Sequence, residues 1–135
     1  ETLIGLAREI NEAMAEYVAV SVSELLLDRR ISNPNILILG FTFKENCEDV
    51  RNTKVDDLCY HLGRERVDVY DPIADKEAMN HYNVKLLDKI EKKYDCIVLA
   101  VAHNEFLTMD LRSMLNPNGV IYDVKGVLKD YDARL

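Results

Sequence analysis

The chain has 135 residues, 48% of them hydrophobic and 30% charged, and a formal net charge of −7. That length suits one domain with enough chain to bury a sizeable core, and the composition is that of a globular protein rather than a disordered one. The acidic balance argues against a general nucleic-acid or anionic-membrane surface, so any bound anion must be met by a local cluster of bases. Cys47, Cys59 and Cys96 are an odd set with no metal-like spacing. They point to reduced thiols in a cytoplasmic protein, not to a disulfide framework.

From about Leu3 to Arg30 there is no proline, and Leu3, Ala7, Ile10, Met14, Tyr17, Ser21 and Leu25 form a helical stripe. A second stripe runs through Ala13, Val18, Val22 and Leu26. Two stripes predict two buried sides, one over this domain and one toward a partner; the alternative is a terminal helix packed wholly in its own core. The segment "AMAEYVAVSVSELLL" carries Glu16 and Glu24 and is too short for a membrane span, and no signal-peptide layout is present. The chain opens mid-pattern on "ETLIGLAREI" and reads as a piece of something longer. "SNPN", Ser32 to Asn35, ends the helix.

Strand and helix signals then alternate. Asn35–Gly40 reads as a buried strand, followed by a helix from near Asn52 to Gly63. Val67–Tyr70 is a second strand, Ala74–Asn80 a short helix and Val84–Leu87 a third strand. Residues 88–93 read as one helical turn. Asp95–Ala102 is the clearest buried strand, Asn104–Leu115 a helix closed by "NPNG", and Gly119–Asp123 a fifth strand. The pattern predicts a Rossmann-like α/β three-layer sandwich: a five-stranded parallel sheet of order 3-2-1-4-5, preceded by a long N-terminal helix. Residues 1–31 would be that helix and 32–135 the α/β domain. Ligands should lie beyond the carboxyl ends of strands 1 and 4, where the strand order reverses.

"ILGFTFKENCEDVRNTK", Ile38 to Lys54, follows the first strand without the Gly-x-Gly-x-x-Gly turn of a dinucleotide site. Helix amides, Lys44 and Arg51 at its end favour phosphate, and Phe43 offers a flat face to a ring. The alternative is that Lys44 and Arg51 pair with Glu45, Glu48 and Asp49 on a solvated loop.

"GFTFKENCEDVRNTK" resembles the start of the C-terminal domain in the UDP-glucose/GDP-mannose dehydrogenase family. "VDVYDP", "AVAHNEF" and "VIYDVKGVL" fit in order, and "LAREINEAMAEYV" is similar to the helix that joins the two halves of those enzymes and carries much of their dimer contact. Within the family, "TFKENCEDVRNTKV" looks most like the branch oxidising UDP-N-acetylhexosamines for surface polysaccharides. The resemblance implies that Phe43 and Lys44 touch the UDP-sugar and that Arg51 reaches the NAD held by the other half. Lys125 in "DVKG" stands where many members carry an arginine on the sugar nucleotide; the swap keeps the charge and loses the bidentate fork. The resemblance further implies a parent enzyme that oxidises a sugar C6 alcohol to a carboxylate in two NAD-dependent hydride transfers through a thiol-bound intermediate. Its catalytic cysteine and Gly-rich NAD loop would lie in an N-terminal half, so this chain supplies no catalytic residue.

Other candidates have two readings each. Asp71 stands where a dinucleotide fold aims an acid at a ribose, or it closes an Asp-Pro turn. His103 lies near the ligand or orders a loop. His61 and His81 read as surface residues, the three cysteines as packing, and no spacing points to a metal site. Two rival functions are a free-standing NAD-binding regulatory module, which requires the missing glycine turn, and a dimerisation module without a ligand.

Overall fold

The computed structural model describes residues 11–135. Helix α1 runs Glu12–Asp28, opened by Asn11, whose Oδ1 accepts the Met14 amide at 2.9 Å. The expected helical positions before Asn11 lie outside the described residues. At the other end Arg30 takes the left-handed conformation, φ 60°. The amides of Arg30 and Ile31 then close on Leu27 and Leu26 at 2.9 and 3.0 Å, so the helix stops before "SNPN". Ala15, Val18, Ala19, Val22 and Leu26 are buried, which realises the second stripe except for exposed Ala13. Of the first stripe, Met14, Ser21 and Leu25 are half-buried and Tyr17 is exposed.

The remaining elements are β1 (Ile36–Leu39), α2 (Val55–Leu62), β2 (Val67–Tyr70), α3 (Lys76–Met79), β3 (Lys85–Leu87), β4 (Tyr94–Leu99), α4 (Asn104–Leu107), β5 (Leu115–Asp123) and β6 (Ala133–Arg134). All strand pairs are parallel, in the order β3-β2-β1-β4-β5-β6. The expected order holds, with a sixth strand added at the β5 edge.

Strand alternation divides the core between two faces. Ile36, Ile38, Cys96, Val98, Val120 and Tyr122 turn toward α1 and α2. Leu37, Leu39, Ile97, Leu99 and Ile121 turn the other way, onto Phe106 and Leu111. The second face is covered by short pieces, α4 and a 3-10 turn at Arg112–Met114, where one helix over 104–115 was expected. Side chains compete with the helical backbone there. Thr108 Oγ1 donates to Glu105 O at 3.2 Å, and Ser113 Oγ donates to Asp110 O at 2.7 Å.

Two further expectations change. Residues 88–93 form bends, because Ile90 alone turns inward from a charged run and one apolar residue cannot bury a helical face. "NPNG" lies inside β5: Leu115 already pairs with Tyr94, and the register shifts before Val120 pairs with Cys96. Asn118 at φ 68° absorbs that irregularity.

Candidate functional site

The crevice is built where β1 and β4 end side by side. Gly40 follows β1 at φ 95°, and a Cβ there would lie 2.5 Å from Val101 Cβ and 2.9 Å from Val101 N. Only glycine lets the two strand ends approach this closely. Its role is strand contact, not a phosphate turn. From there the chain enters the 41–54 loop, closed on itself by the Phe43 amide donating to Asp49 O at 2.8 Å and Thr53 Oγ1 donating to Phe41 O at 2.7 Å.

Phe43, Lys44, Thr53, Lys54, Val101 and Lys125 line the resulting crevice, among others. Three of the residues named from sequence, Phe43, Lys44 and Lys125, thus meet at the switch point. The third is brought there by Asp123, fully buried at the end of β5. Its carboxylate accepts the amides of Lys125, Gly126 and Leu128 at 3.0, 2.9 and 2.7 Å. Lys54, which caps α2, is a further cation in the crevice that the sequence reading passed over. The signal for it was position: a helix expected to begin at Asn52 begins at Val55, which moves Lys54 from a helix to its rim. Among the described residues no carboxylate pairs with Lys44 or Lys54. The Val55 amide, expected to face an anion, donates instead to Thr53 Oγ1 at 3.1 Å.

Arg51 lines a separate depression with Glu48, Asp49 and Asp75. Its guanidinium forks across Asp49, with Nε to Oδ1 at 3.0 Å and Nη2 to Oδ2 at 2.9 Å. The pairing alternative is therefore realised for Arg51 and not for Lys44. That hydrogen bond lowers the Asp49 pKa and raises that of Arg51. The pair stands in solvent, where such contacts are weak and readily exchanged.

Asp71 and His103 lie beneath the loop, 2% and 0% exposed. Asp71 Oδ1 accepts the amides of Ile73 and Ala74 at 2.9 and 3.0 Å, the turn-closing reading. Its Oδ2 accepts the amides of Phe41 and Thr42 at 2.7 and 3.2 Å. Burial by itself would raise this carboxyl's pKa, but the hydrogen bonds from His103 and the Phe41 amide outweigh it and hold the pKa below the ordinary value. Both oxygens of Asp71 are thus engaged by donors of the chain itself.

The thiols follow their surroundings. Burial pushes the Cys59 pKa up to about 12 and raises that of the enclosed Cys96, so both thiols pack as neutral groups. Cys47 is half-buried in the loop, and no two of the three are joined. Among the described residues no group of His, Cys, Asp and Glu could hold a metal ion, and no helix is long and apolar enough to cross a membrane.

Comparison with known proteins places the chain in a family. The model of the UDP-glucose/GDP-mannose dehydrogenase family, UDP binding domain, matches residues 37–130. The UDP-N-acetyl-D-glucosamine 6-dehydrogenase of Salmonella typhi is 35% identical, over 98% of this chain and 34% of that protein. Its Pseudomonas aeruginosa counterpart is 37% identical, over 95% of this chain and 32% of that protein. The solved UDP-D-ManNAc dehydrogenase of Pyrococcus horikoshii shares the fold at a TM-score of 0.65 and 24% identity, over 92% of this chain and 31% of that one. The chain spans about a third of the length of these relatives. The family model covers residues 37–130 and the solved relative shares the fold: the chain belongs to the UDP-glucose/GDP-mannose dehydrogenase family, as its UDP binding domain.

Proposed function

We propose that this chain is the nucleotide-sugar-binding part of a cytoplasmic, NAD-dependent UDP-N-acetylhexosamine 6-dehydrogenase that makes UDP-uronic acids for polysaccharide biosynthesis. The observation that carries the reading is the crevice at the β1/β4 switch point, lined by Phe43, Lys44 and Lys125 in an otherwise acidic chain. In this reading Phe43 packs on a ring of the UDP-sugar, and Lys44 and Lys125 offer it charge. The crevice encloses only about 20 Å³, roughly one water's worth. A nucleotide would lie across its mouth, with the opposite wall supplied by the N-terminal half. Residues 1–31 would join the halves and residues 32–135 form the sugar-nucleotide domain.

The described residues do not by themselves fit NAD. The glycine turn is absent, and Gly40 is used against Val101. NAD, when bound by the parent protein, would supply hydride acceptance, and Arg51 is the residue of this chain that would contact it, although here its guanidinium is engaged by Asp49.

The test separates the two cations. In the full-length enzyme, Lys44→Ala should mainly weaken the UDP-sugar. Losing one charge-assisted contact costs about 1.5–3 kcal/mol, or roughly ten- to a hundredfold in affinity. Arg51→Ala should weaken NAD by a similar factor and leave UDP-sugar binding to the NAD-free enzyme nearly intact. Titration calorimetry of each ligand against both variants reads this out. Equal damage to one ligand, or none to either, overturns the two-ligand loop.

A further inference from the structure

The segment carrying Phe43 and Lys44 is tied at both ends to one buried imidazole. His103 follows β4, and its Nδ1 accepts the backbone N–H of Asn46 at 2.8 Å. An acceptor nitrogen carries no hydrogen, so the ring proton is on Nε2. That nitrogen lies 3.0 Å from Asp71 Oδ2 and 3.2 Å from Thr42 Oγ1. The Thr42 hydroxyl donates its own hydrogen to Lys44 O at 2.9 Å, which leaves Oγ1 as an acceptor. The Nε2–H is therefore shared between the Asp71 carboxylate and the Thr42 hydroxyl.

Two consequences follow from that directionality. The Asp71 carboxylate fixes the tautomer, and the tautomer presents an acceptor to Asn46. The same carboxylate holds the amides of Phe41 and Thr42, so the base and the tip of the loop share a single anchor. Asn46 sits at φ 59° and is clamped from its other side: Asn104 N donates to Asn46 Oδ1 at 3.0 Å, and Asn46 Nδ2 donates to Asn104 Oδ1 at 3.2 Å. His103 itself has no exposed surface and reaches no space a substrate could enter.

We infer that His103, oriented by Asp71, is a positioning residue for the nucleotide-sugar crevice: it holds residues 42–46 so that Phe43 and Lys44 stand over the ends of β1 and β4. The inference rests on the functional reading above and adds a residue to it.

The test uses two substitutions that each keep one half of the ring's bonding. His103→Gln keeps a donor at the Nε2 position for Asp71 and removes the acceptor for Asn46. His103→Asn keeps an acceptor at the Nδ1 position and removes the Asp71 partner. In the full-length enzyme, His103→Gln should weaken UDP by roughly tenfold, the order of one lost loop-ordering bond. His103→Asn should bind UDP within about threefold of wild type while melting at a lower temperature than His103→Gln. Nitrogen-15 spectra of the unaltered chain should show His103 in the Nε2–H form, a measurement that needs no variant to fold. UDP affinity unchanged in His103→Gln overturns the inference and leaves the nucleotide reading standing. Affinity losses that simply track melting temperature in both variants, or an Nδ1–H tautomer, overturn it as well. Wild-type enzyme that binds no UDP overturns the functional reading and this inference with it.

Discussion

At the scale of single residues, the buried acids organise this site through backbone amides. Asp71 and Asp123 each terminate a strand and each gather backbone amides, one under the Phe43 loop and one under Lys125. A carboxylate can accept from several donors at once, whereas an amide in its place must present its NH2 group to donors. Asp71→Asn should therefore destabilise the chain by about 3 kcal/mol at pH 7, a typical cost for breaking a buried charged network. The sign of the pH dependence follows from the lowered pKa of Asp71. Its stabilisation is present above the ordinary value of 3.8 and is lost as pH falls through the lower folded value. Urea unfolding should show the gap between wild type and variant closing below about pH 4. Asp130 and Asp132 also have lowered pKa values and weaken both proteins alike in acid, so the difference between the curves is the informative quantity.

At the scale of elements, patterns of buried residues were readable and local side-chain chemistry was not. β1 and, from Cys96 on, β4 are runs of apolar residues that fill both faces of the sheet, and their position at the switch point follows from the alternation of strands and helices. Phe43 and Lys44 could be placed at the crevice because their loop leaves the end of β1, whereas Lys125, two residues past β5, was placed by the family resemblance alone. Lys54 was missed because its position depends on where α2 begins, and helix starts are poorly fixed by periodicity. Arg51 lies apart from the crevice because Asp49, two residues back, captures it. β6 has no hydrophobic pattern at all. It is held by Asp132, which accepts the Ile121 amide at 2.8 Å and pairs with Arg29 and Arg112, while Arg112 also forks onto Asp130 at 2.7 and 3.0 Å. No period in "KDYDARL" encodes such a latch, since its partners come from α1 and the 3-10 turn. Arg112→Ala should release it. We expect faster hydrogen exchange at the Asp132 and Leu135 amides, which bond Ile121 O and Asp123 O. The cost to global stability should be only about 1 kcal/mol, since the guanidinium is partly exposed. Unchanged exchange at both amides would show that backbone pairing alone holds β6.

At the scale of the whole molecule, the two faces of the sheet are unequally finished. One is closed by α1 and α2, yet α1 still turns Tyr17, Val20 and Leu27 outward at 60%, 50% and 76% exposure, with Tyr60 of α2 exposed on the neighbouring helix. Val20, Leu27 and His61 edge an open depression of about 310 Å³ between the two helices, flanked by Glu16 and Glu24. Apolar surface grouped in this way is what an interface would use, and we propose that it is one. Of the stripe expected to face a partner only Tyr17 is exposed, with Met14 and Leu25 packed on the core, so the outward side is a different one, and we propose a second copy as its partner in the parent enzyme. Sedimentation at tens of micromolar should then show a dimer that dissociates on dilution. Leu27→Asp, which places a charge on the most exposed apolar position of α1, should shift it to monomer while leaving the circular-dichroism spectrum unchanged, because Leu27 contributes nothing to the buried set of Ala15, Val18, Ala19, Val22 and Leu26. A wild-type chain that sediments as a monomer throughout that range would remove the dimer from the proposal. The crevice, built from β1, β4 and β5 on the carboxyl edge of the sheet, would be unaffected, because none of its residues lies on α1.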